Sequence, residues 1–422
     1  MNEDSSTGLV ADTHAANGPG SDDTTVDGPL TDVRVLELGS LIAGPFCGHV
    51  LADFGADVIK VEDPSTGDPM RHWSQDRPGG TSLSFPIIAR NKKSVTCDLR
   101  TEEGQRILRD LALSSDVLVE NFRPGTLERW GLGFDELQRI NPRLILVRVT
   151  GYGQDGPYAQ RAGYGSIGEA MGGIRAVTGE PDRPSSRVGV SLGDSLAGTF
   201  SALGTVMALH ARTRTGRGQV VDTAIYESVL ALMESLLPEW AIAGRRRERT
   251  GSILPKIAPS NTYPTADGAE ILIGANQDTV FARLCALMGV PGLADDERYA
   301  THTARGERQQ ELDEYIGLWT RAFDSADLLD KLHEAGVPAG RVYQAEDMLA
   351  DPHFAARQAI VRLMHPDLGE FPMQNVVPRM GHTPGAVRTV GPRLGEHNRE
   401  VYQGLLNVDE DQYEQWRAQR VV

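Results

Sequence analysis

Five short apolar runs, at 33–38, 57–62, 94–99, 116–120 and 144–149, are separated by stretches with helical character, and this alternation limits the fold more than any other feature. Strands joined through helical crossovers lie parallel, and a parallel sheet needs helices on both faces. In the first crossover, 43–55, Pro45 suits a first helical turn and Gly55 a helix end. Between the third and fourth runs, Thr101 can cap a helix whose first turn carries Glu102 and Glu103, with Ile107, Leu108, Leu111 and Leu113 available to the sheet. A further helix is predicted over 126–140. The pattern reads as an α/β fold, with a Rossmann-like large domain and, because 422 residues exceed the usual span of one core, a smaller α+β domain.

Glycine is dense from 151 to 198, as suits tight turns and close approach of the backbone to a ligand or another chain. A small-residue helix follows at 195–213, then a turn at 215–219 and a strand-like run at 220–225. The predicted boundaries are a disordered tail at 1–28, the first part of the large domain at 29–222, a linker at 223–249, the small domain at 250–343, and a return to the large domain or a partner subunit at 344–422. Strand 270–274 and helices 278–288 and 309–323 belong to the small unit. Residues 1–28 hold six acids, no lysine or arginine and few large apolar side chains, too little to offset ordering entropy.

The chain has 42 basic and 58 acidic residues and a net charge of −16, or −10 without those six acids, so nucleic acid and anionic lipid are not expected partners. The arginine-rich stretch 244–249 reads as a solvated linker. The tail lacks a basic n-region and an apolar h-region, and no run of about 18 apolar residues follows, so no membrane association is expected and the expected location is the cytoplasm. Cys47, Cys97 and Cys285 are too few and too scattered for a disulfide framework or a metal knuckle.

After the first strand comes Gly39-Ser40-Leu41-Ile42-Ala43-Gly44-Pro45, which lacks the G-x-G-x-x-G spacing of a dinucleotide site. Walker A, H-E-x-x-H and C-x-x-C are absent as well. A different set of motifs occurs in order: Leu41-Ile42-Ala43-Gly44-Pro45, the run 55–62, Gly67-Asp68, Asn91-Lys92-Lys93-Ser94, the run 119–125, Thr150-Gly151-Tyr152-Gly153-Gln154, Gly193-Asp194, Thr215-Gly216-Arg217-Gly218-Gln219 and the run 392–397. From about residue 29 to the C-terminus the chain resembles the class III CoA-transferases, the CaiB/BaiF family that includes formyl-CoA and carnitine CoA-transferases.

That resemblance implies a homodimer of interlocked ring-like chains acting on an acyl-CoA and a small carboxylic acid. Coenzyme A enters as substrate, and neither a permanently bound cofactor nor a metal is expected. The family's nucleophile, the aspartate of a Gly-Asp pair, falls on Asp194. A carboxylate attacking a thioester gives a mixed anhydride, the returning thiolate gives an aspartyl-CoA thioester, and a second acid then takes the CoA, with succinyl-CoA a candidate donor. Capping of the following helix is the competing role for Asp194. The family's CoA-binding positions map to Lys92, Arg100, Asn121, Phe122, Arg129 and Tyr164, the arginines offering forked donors to phosphate.

Formyl-CoA transferase has glutamine where this chain has Ile42, and a glycine run where it reads 250–259, so formate and oxalate are not expected substrates. Ile42 and Trp73 are candidates for the acyl pocket, and 250–259 for a lid that excludes water. An α-methylacyl-CoA racemase is the alternative activity, but its proton-carrying histidine is replaced by Tyr164, a poor base at neutral pH. His49 and His210 lie on predicted helices and read as packed or surface residues. A non-catalytic CoA-binding homologue is the remaining alternative.

Overall fold

The computed structural model describes residues 28–422 apart from Gln75. The expected disordered tail lies outside the described residues except for Gly28. The first part of the chain forms β1 (Arg34–Glu37), α1 (Ala43–Asp53), β2 (Asp57–Glu62), β3 (Lys92–Thr96), α2 (Glu102–Leu113), β4 (Val117–Glu120), α3 (Thr126–Arg129), α4 (Phe134–Ile140), β5 (Ile145–Thr150), α5 (Gly165–Met171), α6 (Leu192–Thr215) and β6 (Val220–Ala224). The six strands make one parallel sheet in the order β3-β2-β1-β4-β5-β6. Connections leave β1 in one direction and β4 in the other, so a crevice opens between their carboxyl ends.

Successive strand residues point to opposite faces. Val35, Val58, Val119 and Val147 pack on one face with Leu51 of α1 and Ala197, Ala202 and Ala208 of α6. On the other face Leu36, Ile59, Leu118 and Leu146 pack against Ile107, Leu108 and Leu111 of α2. Thr101 does cap α2, its hydroxyl accepting the Gly104 N–H at 3.0 Å. By length and composition α6 could cross a bilayer, yet it lies against α1 and β5 with its small residues buried, as a core helix does.

Three predicted elements shift. The helix expected over 126–140 is two, parted at 130–133 where Gly131 has φ of +65°. The strand expected at 94–99 pairs over Lys92–Thr96, and the chain then leaves the sheet, the Asp98 N–H donating to the Val421 carbonyl at 2.7 Å. The helix expected from 195 begins at Leu192, which puts Asp194 inside its first turn.

A second core surrounds β7 (Ser260–Pro264), β8 (Glu270–Gly274) and β9 (Ala339–Arg341), an antiparallel sheet, with α7 (Asp278–Leu287), α8 (Gln309–Thr320) and α9 (Ser325–Glu334). Tyr263, Ile271, Phe281, Ile316 and Leu328 fill it. The chain continues through the hairpin β10 (Ile360–His365) and β11 (Gly369–Gln374), a π-helical turn at Glu400–Leu405, and α10 (Glu410–Ala418). Tyr402, Tyr413 and Trp416 then join the Leu36–Leu108 core of the first sheet, and the Tyr402 hydroxyl donates to the Thr96 carbonyl at 2.6 Å.

Candidate active site

At the crevice, the loop after β1 meets the loop after β4. Asn121 Oδ1 accepts the Ser40 N–H at 2.9 Å while its Nδ2 donates to the Ser40 carbonyl at 2.8 Å, so one amide side chain fastens the two loops as a neighbouring strand would. Leu41 beside it has φ of +64°, rare for a branched residue, and its N–H donates to Asp68 Oδ1 at 3.0 Å. Beneath the loop the Lys60 ammonium lies 2.7 Å from Asp68, 3.1 Å from Glu37 and 2.8 Å from the Gly39 carbonyl. Burial pulls its pKa down, but Glu37, Asp68 and Glu62 outweigh that and raise it, so it stays charged. The loop is thus built on a satisfied ionic floor.

Two cavities open onto these loops. One, of about 230 Å³, is lined by Ile42, Asn121, Gly163, Tyr164 and, at its wall, Asp194. The other, of about 280 Å³, is lined by Lys60, Asp63, Leu99, Arg100 and Trp130. Ser40 and Phe122 border both, which makes one groove along the carboxyl edge of the sheet.

In the first turn of α6, the Asp194 carboxylate has no hydrogen-bond partner among the described residues. Ser191 holds the cap position, so Asp194 does not cap the helix. Burial, then the negative charge of Glu169, raise its pKa to about 6, while Arg187 pulls the other way. Gly165, at the start of α5, is required here: a Cβ at that position would overlap the Asp194 carboxyl. Glu169 is 1% exposed, and one of its oxygens accepts from Arg175 Nε and Nη2 at 3.0 and 2.9 Å. Its other oxygen faces the Gly193 N–H at 3.4 Å. A partly desolvated, unpartnered carboxylate at the end of a long groove is a nucleophile's arrangement, and the groove's length suits an extended thioester substrate.

The sequence model of CoA-transferase family III matches residues 30–398. The chain belongs to this family. It is similar to the succinyl-CoA–D-citramalate CoA-transferase of Chloroflexus aurantiacus, 60% identical over 93% of this chain and 98% of that protein. It is also similar to the succinate–glutarate CoA-transferase of Agrobacterium fabrum, 38% identical over 90% of this chain and 96% of that one. Among solved structures, a CaiB/BaiF family protein from Brucella suis superposes with a TM-score of 0.81 at 36% identity, covering 90% of this chain and all of the other. The protein is a family III CoA-transferase.

Of the residues singled out in the family III pattern, the structure brings Ile42, Asn121, Phe122, Tyr164 and Asp194 to one cavity, and Phe122 with Arg100 to the next. Arg100 is exposed and forked between Asp98 at 2.7 Å and Asp63 at 2.9 Å. Three other predicted site residues lie apart from these two cavities. The Lys92 ammonium is fully buried between Glu37 and the Pro45 carbonyl, each at 2.7 Å. Arg129 lines neither cavity and donates to Thr126 Oγ1 at 3.0 Å. Trp73, 54% exposed, lies outside both cavities.

The segment 250–259 also lines neither cavity within the chain. Its Gly251 N–H donates to Gly179 and its Leu254 and Ile257 carbonyls accept from Gln309. His49 is buried, stacked on Phe46 and bonded to the Ile87 carbonyl, and His210 is exposed. Glu169, Arg187 and Glu37 carry no local sequence signal, and Lys60 stood in the run 55–62 without a role. Asp68 stood within a motif, but without a role.

Proposed function

We propose that this CoA-transferase takes CoA from succinyl-CoA and gives it to a short dicarboxylic acid of the D-citramalate type, with Asp194 as nucleophile. The observation that carries this reading is the unpartnered Asp194 carboxylate at the end of the groove that starts at the β1–β4 crevice. The 60% identity to the D-citramalate enzyme supports the choice of donor and acceptor.

In the scheme, the Asp194 carboxylate adds to the thioester carbonyl, the carbon–sulfur bond breaks, and CoA leaves as thiolate, giving a mixed anhydride of Asp194 and succinate. The thiolate returns to the aspartyl carbonyl, expelling succinate and leaving Asp194 as a CoA thioester. The acceptor carboxylate attacks that thioester, releasing the thiolate again and forming a second anhydride. Attack of the thiolate on the acceptor's carbonyl then yields the new acyl-CoA and regenerates the Asp194 carboxylate. Every step exchanges one acyl bond for another, and the scheme calls on no metal and no resident cofactor. A pKa near 6 leaves Asp194 mostly ionised at neutral pH yet more basic than an ordinary carboxylate, which favours nucleophilic attack.

The active form is a homodimer in this reading. Leu203, Val206 and Met207 form an exposed apolar ridge on α6, and Trp240 and Ile242 are exposed as well, surface that a second copy would cover. Hydroxylamine trapping during turnover of succinyl-CoA is expected to leave a hydroxamate on Asp194. Asp194→Ala should lose both the adduct and transfer, with CoA binding kept. Retained turnover in that variant would sink the assignment.

A further inference from the structure

If the pantetheine arm lies in the groove, the acyl chain runs past Asp194 on the side away from CoA. Succinyl, D-citramalyl and glutaryl chains end in a second carboxylate, and an anion drawn into a partly buried site needs a cation to replace its water. Several arginines near the carboxyl edge of the sheet are already committed: Arg71 to Glu62, Arg100 to Asp98 and Asp63, Arg148 to Glu120 and Glu128, and Arg175 to Glu169.

Arg123 and Arg161 line the Asp194 cavity, but Arg123 adjoins Phe122 at the CoA groove and Arg161 is laid over the Tyr158 ring at 3.6 Å. Arg187 differs from both. It lines neither cavity, yet its charge acts on Asp194. Its Nη2 donates to Ser191 Oγ at 3.2 Å, and Ser191 directly precedes α6, so the guanidinium is tethered beside the turn that carries Asp194. No carboxylate pairs with it among the described residues, and its remaining donors are free to fork onto a planar anion.

We propose that Arg187 is a specificity-determining residue that receives the second carboxylate of a dicarboxylic acyl group or acceptor while the first reacts at Asp194. The assignment rests on Asp194 as the nucleophile. It also gives a physical basis for preferring dicarboxylic substrates over formate, which has no second charge to offer.

The test compares kcat/KM for succinyl-CoA and for butyryl-CoA, a chain of equal length without the terminal charge, in the full-length enzyme and in Arg187→Met and Arg187→Lys. Loss of one charge-assisted pair predicts that the succinyl-to-butyryl preference falls about 100-fold in Arg187→Met and is partly restored in Arg187→Lys. An unchanged preference, or equal loss on both donors, would overturn the proposal. Hydroxylamine trapping with butyryl-CoA separates the two assignments. An Asp194 adduct in Arg187→Met shows the nucleophile intact whatever the preference, and no adduct with any donor in the wild-type enzyme refutes Asp194 instead.

Discussion

At Asp194, burial and the charge of Glu169 act in the same direction, and two measurable effects follow. Transfer requires the carboxylate, so log kcat/KM should fall with unit slope as pH drops through about 6. The stability effect has the opposite sense. A folded-state pKa near 6 against an ordinary 3.8 favours the fold below pH 3.8, and that contribution is lost as pH rises through 6. At pH 7.5 the ionised side chain therefore costs about 2 to 3 kcal/mol. Asp194→Asn should unfold several degrees higher than wild type at pH 7.5, with the gap closing at pH 4. Equal midpoints at pH 7.5 would contradict the placement of the carboxylate. The position of Asp194 was legible because it sits in an ordered series of motifs. Its chemistry was not, because Glu169, 25 residues upstream, and the opposing Arg187 reach it only through the fold.

At the scale of elements, the site depends on two helix starts that approach unusually closely, α5 at Gly165 and α6 at Asp194. Gly165→Ala would force the carboxyl aside, and displacements of this order cost about 100-fold in rate. The expected result is a kcat lowered by that factor with CoA affinity retained, measured by turnover and by calorimetric titration of CoA. The strands were readable because burial on both faces makes each an apolar run between turn residues. Where elements begin and end was less so: the break at 130–133 and the early start of α6 are set by Gly131 and by the loop before Leu192, neither of which alters the hydrophobic period. The surroundings of Lys92 were hidden for a related reason. A lysine in a motif looks the same whether its ammonium meets a phosphate or Glu37, and only the burial of both partners decides it.

For the whole molecule, the apolar ridge of α6 predicts that Met207→Glu, which puts a charge on a side chain that is 60% exposed in the single chain, weakens the proposed dimer. Light scattering should give twice the mass of one chain for wild type and a larger monomer fraction for the variant. A variant as fully dimeric as wild type would place the interface elsewhere. The return of the last segment to the first sheet was legible as a shortage of periodic elements after residue 343, although not which face it would cover. It covers the Leu36 face: Tyr402, Trp416, Val421 and Val422 share a core with Leu36, Ile59 and Leu108.

That arrangement has a consequence for how the protein is made. The strands of the first sheet leave the ribosome early, but the aromatic side chains that complete one of its faces emerge some 300 residues after Leu108. At roughly 5 to 20 residues per second, that face waits on the order of tens of seconds for its cover. Through that interval Leu36, Ile59 and Leu118 lack their cover, and an apolar surface left open on a nascent chain is prone to aggregate.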